Sequence, residues 1–353
     1  MASPRPSTPT VRTWPFWAGP ALVAAVAFLT VVAAIDPAGD YPSAPEGPGL
    51  TIDESFNVQQ GVRLVVGLRE WGLGKIAGRD IITLRDIFGD ERDLPPNAPF
   101  GYHNPDHPPL GRFWLGVWHA VTVWIAPPAQ HAANHPFVTA SARVGSAAAF
   151  ALTVLLCGWT AGRWYGKAAG TIAAISLALM PRVFGHAHLA ALETSIGLMY
   201  FVAVVTVARL WNEESPPSWK WAAVAGLALG GAMLTKIQGA LVPIPVAIWA
   251  LWHWRARAIG PLLLWGLVGL AVFFLLWPWL WFDPYHRVLE YAGRTAQRSV
   301  LYVWYFGQRY ADREVPWHYP AVLFFTTVPL GLVALGVLGI FKGPHPPWKE
   351  RAG

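Results

Sequence analysis

The sequence predicts an all-α polytopic membrane protein of about eight transmembrane helices, with a long first outer loop containing juxtamembrane helices. Three observations carry this. Hydrophobic residues make up 54% of the 353 positions and charged residues only 13%, against about 25% charged in a soluble domain. One or two soluble cores cannot bury that much apolar surface. Apolar runs long enough to cross a hydrocarbon layer of about 30 Å recur along the chain. The 21 tryptophans suit bilayer interfaces, where an amphipathic ring sits at headgroup level. Disorder, a disulfide scaffold and an ordinary soluble enzyme are excluded. A single cysteine, Cys157, also excludes an internal disulfide and a cysteine-based zinc site.

Residues 1–15 are rich in Pro, Ser and Thr and read as a disordered cytoplasmic tail. Phe16 to Ile35 is a first span. A signal peptide ending near Ala33-Ala34 is the competing reading, but the run exceeds the usual apolar core of about 7–15 residues. Further runs lie at about 137–162, 168–185, 190–211, 220–237, 239–254, 259–282 and 319–341. Residues 16–341 form the membrane module, and 342–353 a second cytoplasmic tail. With the N-terminus inside, eight spans put Arg163/Lys167, Glu213-Glu214/Lys220, Arg255/Arg257 and Lys342/Lys349/Arg351 all inside, as the positive-inside rule favours. Leu110–Ala126 is a ninth candidate. Counting it as a crossing reverses the side of Arg163/Lys167 and Arg255/Arg257, so it reads as a juxtamembrane or re-entrant helix. The outer side then holds the 36–136 loop, the Gly185–Ala191 turn and the 283–318 loop.

The few charges are partitioned. Between Asp36 and Arg112 there are 12 acids and 7 bases, leaving 8 acids and 19 bases elsewhere. The net charge of +6 therefore reflects helix-end cations, and no nucleic-acid partner is expected.

Four constellations could carry chemistry. Asp53-Glu54 follows Thr51, and Val58, Val62, Val65 and Trp71 recur at helical spacing after it. Thr51 and Glu54 have the spacing of a capping box, which is a purely structural explanation. The functional alternative is a carboxylate pair at the membrane surface, with one acid as general base. His107-Pro-Pro-Leu-Gly-Arg112 reads as a loop-to-helix junction. His186 and His188, with Glu193 beyond, are two imidazoles and an acid that could bind a metal, where zinc normally takes three or four protein ligands. Lys236 occupies a tight turn between two apolar runs. It either snorkels to the interface or offers a cation to a lipid-linked phosphate, with Arg294 and Arg298 as rivals and Arg112 as a further cation.

In their order and spacing these motifs resemble the GT-C superfamily of membrane glycosyltransferases. Within it the chain is similar to the dolichyl-phosphate-mannose protein mannosyltransferase and aminoarabinose transferase group. The matching residues are Asp53-Glu54, His107-Pro108-Pro109-Leu110-Gly111, Arg143, Gly185-His186 through Glu193, the Lys236 turn and Pro316-Trp317-His318-Tyr319. The resemblance covers roughly residues 16–340. It implies an inverting transferase that uses a polyprenyl-phosphate sugar on the outer side of the membrane, expected to be the inner membrane, and the charge parity expects both termini to be cytoplasmic. The acceptor is a protein, lipid or glycan hydroxyl.

Asp53 takes the place of the family's general base, with Glu54 and His107 orienting groups. Lys236, with Arg294 or Arg298, faces the departing phosphate. Glu193 stands where many relatives have Asp, so a divalent metal remains an optional cofactor only. Many relatives have eleven to thirteen spans and an outer C-terminal domain, and acceptor selection held there does not carry over. Two other classes compete. A transporter or flippase predicts ionisable residues near the bilayer midplane, whereas these acids cluster at one side. A non-catalytic assembly subunit predicts that Asp53 is dispensable.

Overall fold

The computed structural model describes residues 14–35, 51–79, 82–127, 135–296 and 300–342. The expected tails, apart from their membrane-proximal ends, lie outside these residues, as do residues 36–50 and Arg298.

Helix α1 (Ala18–Ala33) is followed by α2 (Ile52–Ile76). The Thr51 hydroxyl accepts from the Glu54 N–H, and Glu54 Oε2 accepts from the Thr51 N–H at 3.0 Å. This capping box satisfies two of the helix's orphan donors. Thr83 and Asp86 start the short α3 (Leu84–Phe88) in the same way. Helix α4 (Pro109–Ile125) begins on a proline, whose missing N–H costs nothing in the first turn. Then come α5 (His135–Tyr165), α6 (Lys167–Ala178), α7 (Pro181–His186), α8 (Leu192–Leu210), α9 (Trp219–Thr235), α10 (Pro243–Trp254) and α11 (Ile259–Leu275). Beyond them lie α12 (Pro284–Ala296), the strands β1 (Tyr302–Tyr305) and β2 (Gln308–Ala311), α13 (Tyr319–Thr327) and α14 (Leu330–Lys342).

Helix α5 is the hub, packed on α1, α4, α6 and α8, while α9 packs on α8 and α11. Close approach is built from small residues. A Cβ on Gly230 of α9 would lie 2.5 Å from Val272 of α11, and one on Gly226 2.7 Å from Val268. Gly226 and Gly230 have the small-xxx-small spacing that brings membrane helices together. Trp211, Trp254 and Trp265 fill the core among α8–α11.

The segment from α2 to α4 is held by long-range polar ties. Arg63 on α2 donates to the carbonyls of Phe100, Ile87, Asp86 and Gly101. The buried Arg287 of α12 holds Asp93 at 2.6 Å and also donates to the Trp279 carbonyl. Trp279 donates to Asp90 at 3.0 Å and stacks on Trp277.

The structure is mostly helical, and three departures from the sequence reading have local causes. Residues 302–311 form an antiparallel hairpin, so the chain is not all-α. Phe306 and Gly307 both adopt positive φ at its turn, the geometry that matches strand twist, between aromatic residues that favour strands. The 168–185 run breaks after Ala178, because Pro181 starts a new helix. The final run bends by 102° between α13 and α14, at Pro329, which cannot continue the hydrogen-bond ladder.

Among the described residues, three helical stretches are long and apolar enough to cross a membrane: Val138–Tyr165, Leu192–Leu210 and Ile237–Leu275. The bent α13–α14 pair makes a fourth if it counts as one span, and α1 and α6 are shorter apolar helices. Helix length alone therefore does not establish eight crossings.

Candidate active site

The two acids that begin α2 have opposite surroundings. Glu54 is fully buried. Its Oε1 accepts from Arg143 Nε at 2.8 Å and from the Ala190 N–H at 2.7 Å, and its Oε2 accepts from Arg143 Nη2 and Thr51. A buried ion pair of this kind repays its desolvation only when such additional hydrogen bonds complete it. Glu54 thus ties α2 to α5 and to the turn before α8, with no oxygen left for a substrate.

Asp53, one residue earlier, is exposed. It lines a small pocket of about 100 Å³ with Asn57, Asn104, Asp106, His107 and Arg112. The structure therefore brings Asp53, His107 and Arg112 together. Arg112 is buried, donating from Nε to Asn57 Oδ1 at 3.0 Å and from Nη1 to the Asn104 carbonyl. It clamps the loop to α2. Burial, reinforced by the positive charges of Arg112 and Lys236, pushes His107 down to about 4. Its imidazole is neutral at physiological pH.

Lys236 and Glu193 form an ion pair at 2.6 Å, and both charges act on the His107 imidazole. Gly111 permits this proximity. A Cβ there would come within 2.9 Å of Leu192 and 3.2 Å of Thr235, so the first turn of α4 rests against the start of α8 and the end of α9. Lys236 extends from the chain break after α9, where its backbone leaves helical geometry (φ −161°, ψ 151°).

On the other side of Glu193 a cavity of about 830 Å³ runs between α5, α6 and α8. Its walls include Phe150, Leu177, Tyr200, Phe201 and Val204, and Arg182, His186 and Glu193 line it as polar groups. Arg294 of α12 pairs with Asp106 at 3.1 Å and with Glu290 at 2.7 Å, which places it at the rim of the Asp53 pocket.

His188 does not join the other candidates. Its Nδ1 lies 2.9 Å from the Phe184 carbonyl and its ring packs on Phe184. Among the described residues no three His, Cys, Asp or Glu side chains converge as a metal ligand set. His186 and Glu193 line one cavity, while His188 turns to the Phe184 carbonyl.

Sequence reasoning gave no role to Arg182, Asn57, Asn104 or Asp106. The Asn-Pro-Asp run at 104–106 carries a turn signal, and Asn104 Oδ1 accepts from the Asp106 N–H at 2.9 Å. Nothing in that local signal marks the turn as part of a site.

The family model described as dolichyl-phosphate-mannose-protein mannosyltransferase matches residues 134–282. That segment contains Arg143, His186, His188, Glu193 and Lys236, and it leaves Asp53, His107 and Arg294 outside. No curated protein and no solved structure gives a significant match. Over its helical middle, from α5 through α11, the chain thus resembles a family of membrane glycosyltransferases of the GT-C type.

Proposed function

We propose that the protein is an inverting glycosyltransferase, moving a sugar from a polyprenyl-phosphate donor to an acceptor hydroxyl on the outer face of the inner membrane. One observation carries this reading. A wet pocket with an exposed carboxylate, Asp53, adjoins an ion pair, Glu193–Lys236, whose acid also lines a large, mainly apolar cavity. A lipid-linked sugar needs those three environments in that order.

Asp53 takes the acceptor hydroxyl proton as that oxygen bonds to sugar C1 from the face opposite the phosphate. The C1–O bond to phosphate breaks, and the electron pair leaves with polyprenyl phosphate. The proton stays on the Asp53 carboxyl until solvent removes it. A positioned base of this type contributes about 10²–10⁴-fold. Lys236 stabilises charge on the leaving oxygen, sharing its ammonium between Glu193 and the phosphate. Arg182 adds a second cation at the cavity, and neutral His107 orients the sugar or acceptor without carrying charge. The tail lies along Phe150, Leu177 and Phe201.

The helices support an eight-span arrangement. Helices α1, α5, α6, α8, α9, α10, α11 and the α13–α14 pair alternate in direction if the short turns at Gly166 and at 255–258 lie inside. The segment from α2 to α4 then sits outside, with both termini inside.

The test is complementation of a deletion strain, followed by mass spectrometry of lipid-linked sugars and surface glycans. Deletion should leave an undischarged polyprenyl-phosphate sugar. Asp53→Asn should express normally yet fail to discharge it, with at least a hundredfold loss of transfer in reconstituted vesicles. Unchanged pools on deletion, or full complementation by Asp53→Asn, would overturn the proposal.

A further inference from the structure

A second polar pocket adjoins the first and has no part in the steps above. It occupies about 260 Å³ between residues 90–106 and Arg294 of α12. Asn104 and Asp106 line both pockets, so the two are neighbours at that turn. Its remaining walls include Glu91, Arg92, Tyr102 and His103. We infer that this pocket seats the acceptor, and that the acceptor is a neutral or amine-bearing carbohydrate held through its hydroxyls. The inference rests on the transferase reading and adds to it the chemical class of the acceptor.

The lining selects for that class. Pro105 is the one aliphatic side chain of its lining, so a lipid tail or an apolar peptide side chain gains little by entering. Three carboxylates, Asp90, Glu91 and Asp106, face two guanidiniums, Arg92 and Arg294, and this acidic excess disfavours an anionic ligand. Planar carboxylate, amide and guanidinium groups suit adjacent hydroxyls, each of which both donates and accepts. The walls are fixed in advance. Arg92 bonds Asp90 and reaches Glu290 at 2.9 Å, while Trp279 holds Asp90 from behind. Such prior ordering lowers the entropic cost of binding.

His103 supplies a second, independent sign. It is 1% exposed, and its Nε2 accepts from the Trp277 indole N–H at 3.2 Å. The ring proton therefore resides on Nδ1. Burial holds the imidazole well below its usual range, so it remains a neutral donor. That Nδ1 is buried and has no hydrogen-bond partner among the described residues. An unsatisfied buried donor is costly, and His103 is one of the residues that line the pocket.

The test uses the full chain in lipid nanodiscs. Saturation-transfer NMR without donor would compare mannobiose, glucosamine and a Ser/Thr-rich peptide, and acceptor kinetics with a polyprenyl-phosphate sugar would follow. Saccharide should give a signal that Glu91→Gln and Tyr102→Phe each reduce at least threefold. Both variants should raise the acceptor KM at least threefold while leaving kcat and the donor KM unchanged. Saccharide binding that the variants weaken, without any transfer, would support the pocket and remove the transferase reading. Transfer to saccharide unaffected by either variant would overturn the pocket and leave the transferase. A signal from the peptide alone would overturn the carbohydrate assignment.

Discussion

Adjacent carboxylates on α2 divide the work because they sit one residue apart on a helix, about 100° round its axis. Asp53 turns to water and Glu54 to Arg143. Arg143→Leu strands the Glu54 charge in a site with no exposure, a change that costs about 3–5 kcal/mol when one partner of a buried pair is lost. The expected outcome is a sharp drop in thermal stability and in folded yield from detergent, whereas Asp53→Asn behaves as wild type in both. His107 gives a pH signature. Its folded value of about 4 lies below the ordinary 6.5, so between those limits the unfolded chain binds more protons. Its contribution is complete above about pH 6.5 and is lost as pH falls toward 4, by up to about 3 kcal/mol at 1.36 per unit. His107→Gln should flatten that part of the melting-temperature profile between pH 7 and 4.5. It should add no step to the rate profile between pH 6 and 8, where the imidazole stays uncharged.

At the scale of elements, the crossing of α2 and α4 decides whether the site holds its shape. A Cβ on Gly116 would lie 2.1 Å from the Gly61 carbonyl oxygen, and one on Gly61 2.2 Å from that of Arg112. Backbone must move to admit either. Gly116→Val should cost about 1–3 kcal/mol as an overpacked contact and, by prising Arg112 from Asn57, lower transfer more than Gly72→Ala, which meets open space. The elements themselves were largely legible. The capping spacing at Thr51 and Glu54, the paired prolines before α4 and the apolar runs all act over a few residues, and the helices begin close to where those signals place them. The pairing of Glu54 with Arg143 spans 89 positions and that of Asp90 with Trp279 spans 189. No local pattern encodes which distant residue completes a buried charge. The hairpin at 302–311 escaped because neither Tyr302–Tyr305 nor Gln308–Ala311 alternates apolar and polar residues, the pattern that separates strand from loop.

At the scale of the molecule, the charge partition and the helix order make one joint statement about sidedness. With Cys157 replaced by Ser, Lys167→Cys should react with an impermeant maleimide only after the membrane is opened, and Phe306→Cys should react on intact cells. Labelling of both from the same side would contradict the arrangement. The ties of the segment from α2 to α4 also have a temporal meaning. Residues 51–112 leave the ribosome long before their partners do: Arg143 and Ala190 must follow for Glu54, and Trp279 and Arg287 for Asp90 and Asp93. The face that carries Asp53 is therefore completed late in synthesis. Until residue 287 has emerged, Asp90 and Asp93 have only Arg92 and Arg85 of their own segment as cationic partners, so the pocket walls are fixed only after most of the chain has been made.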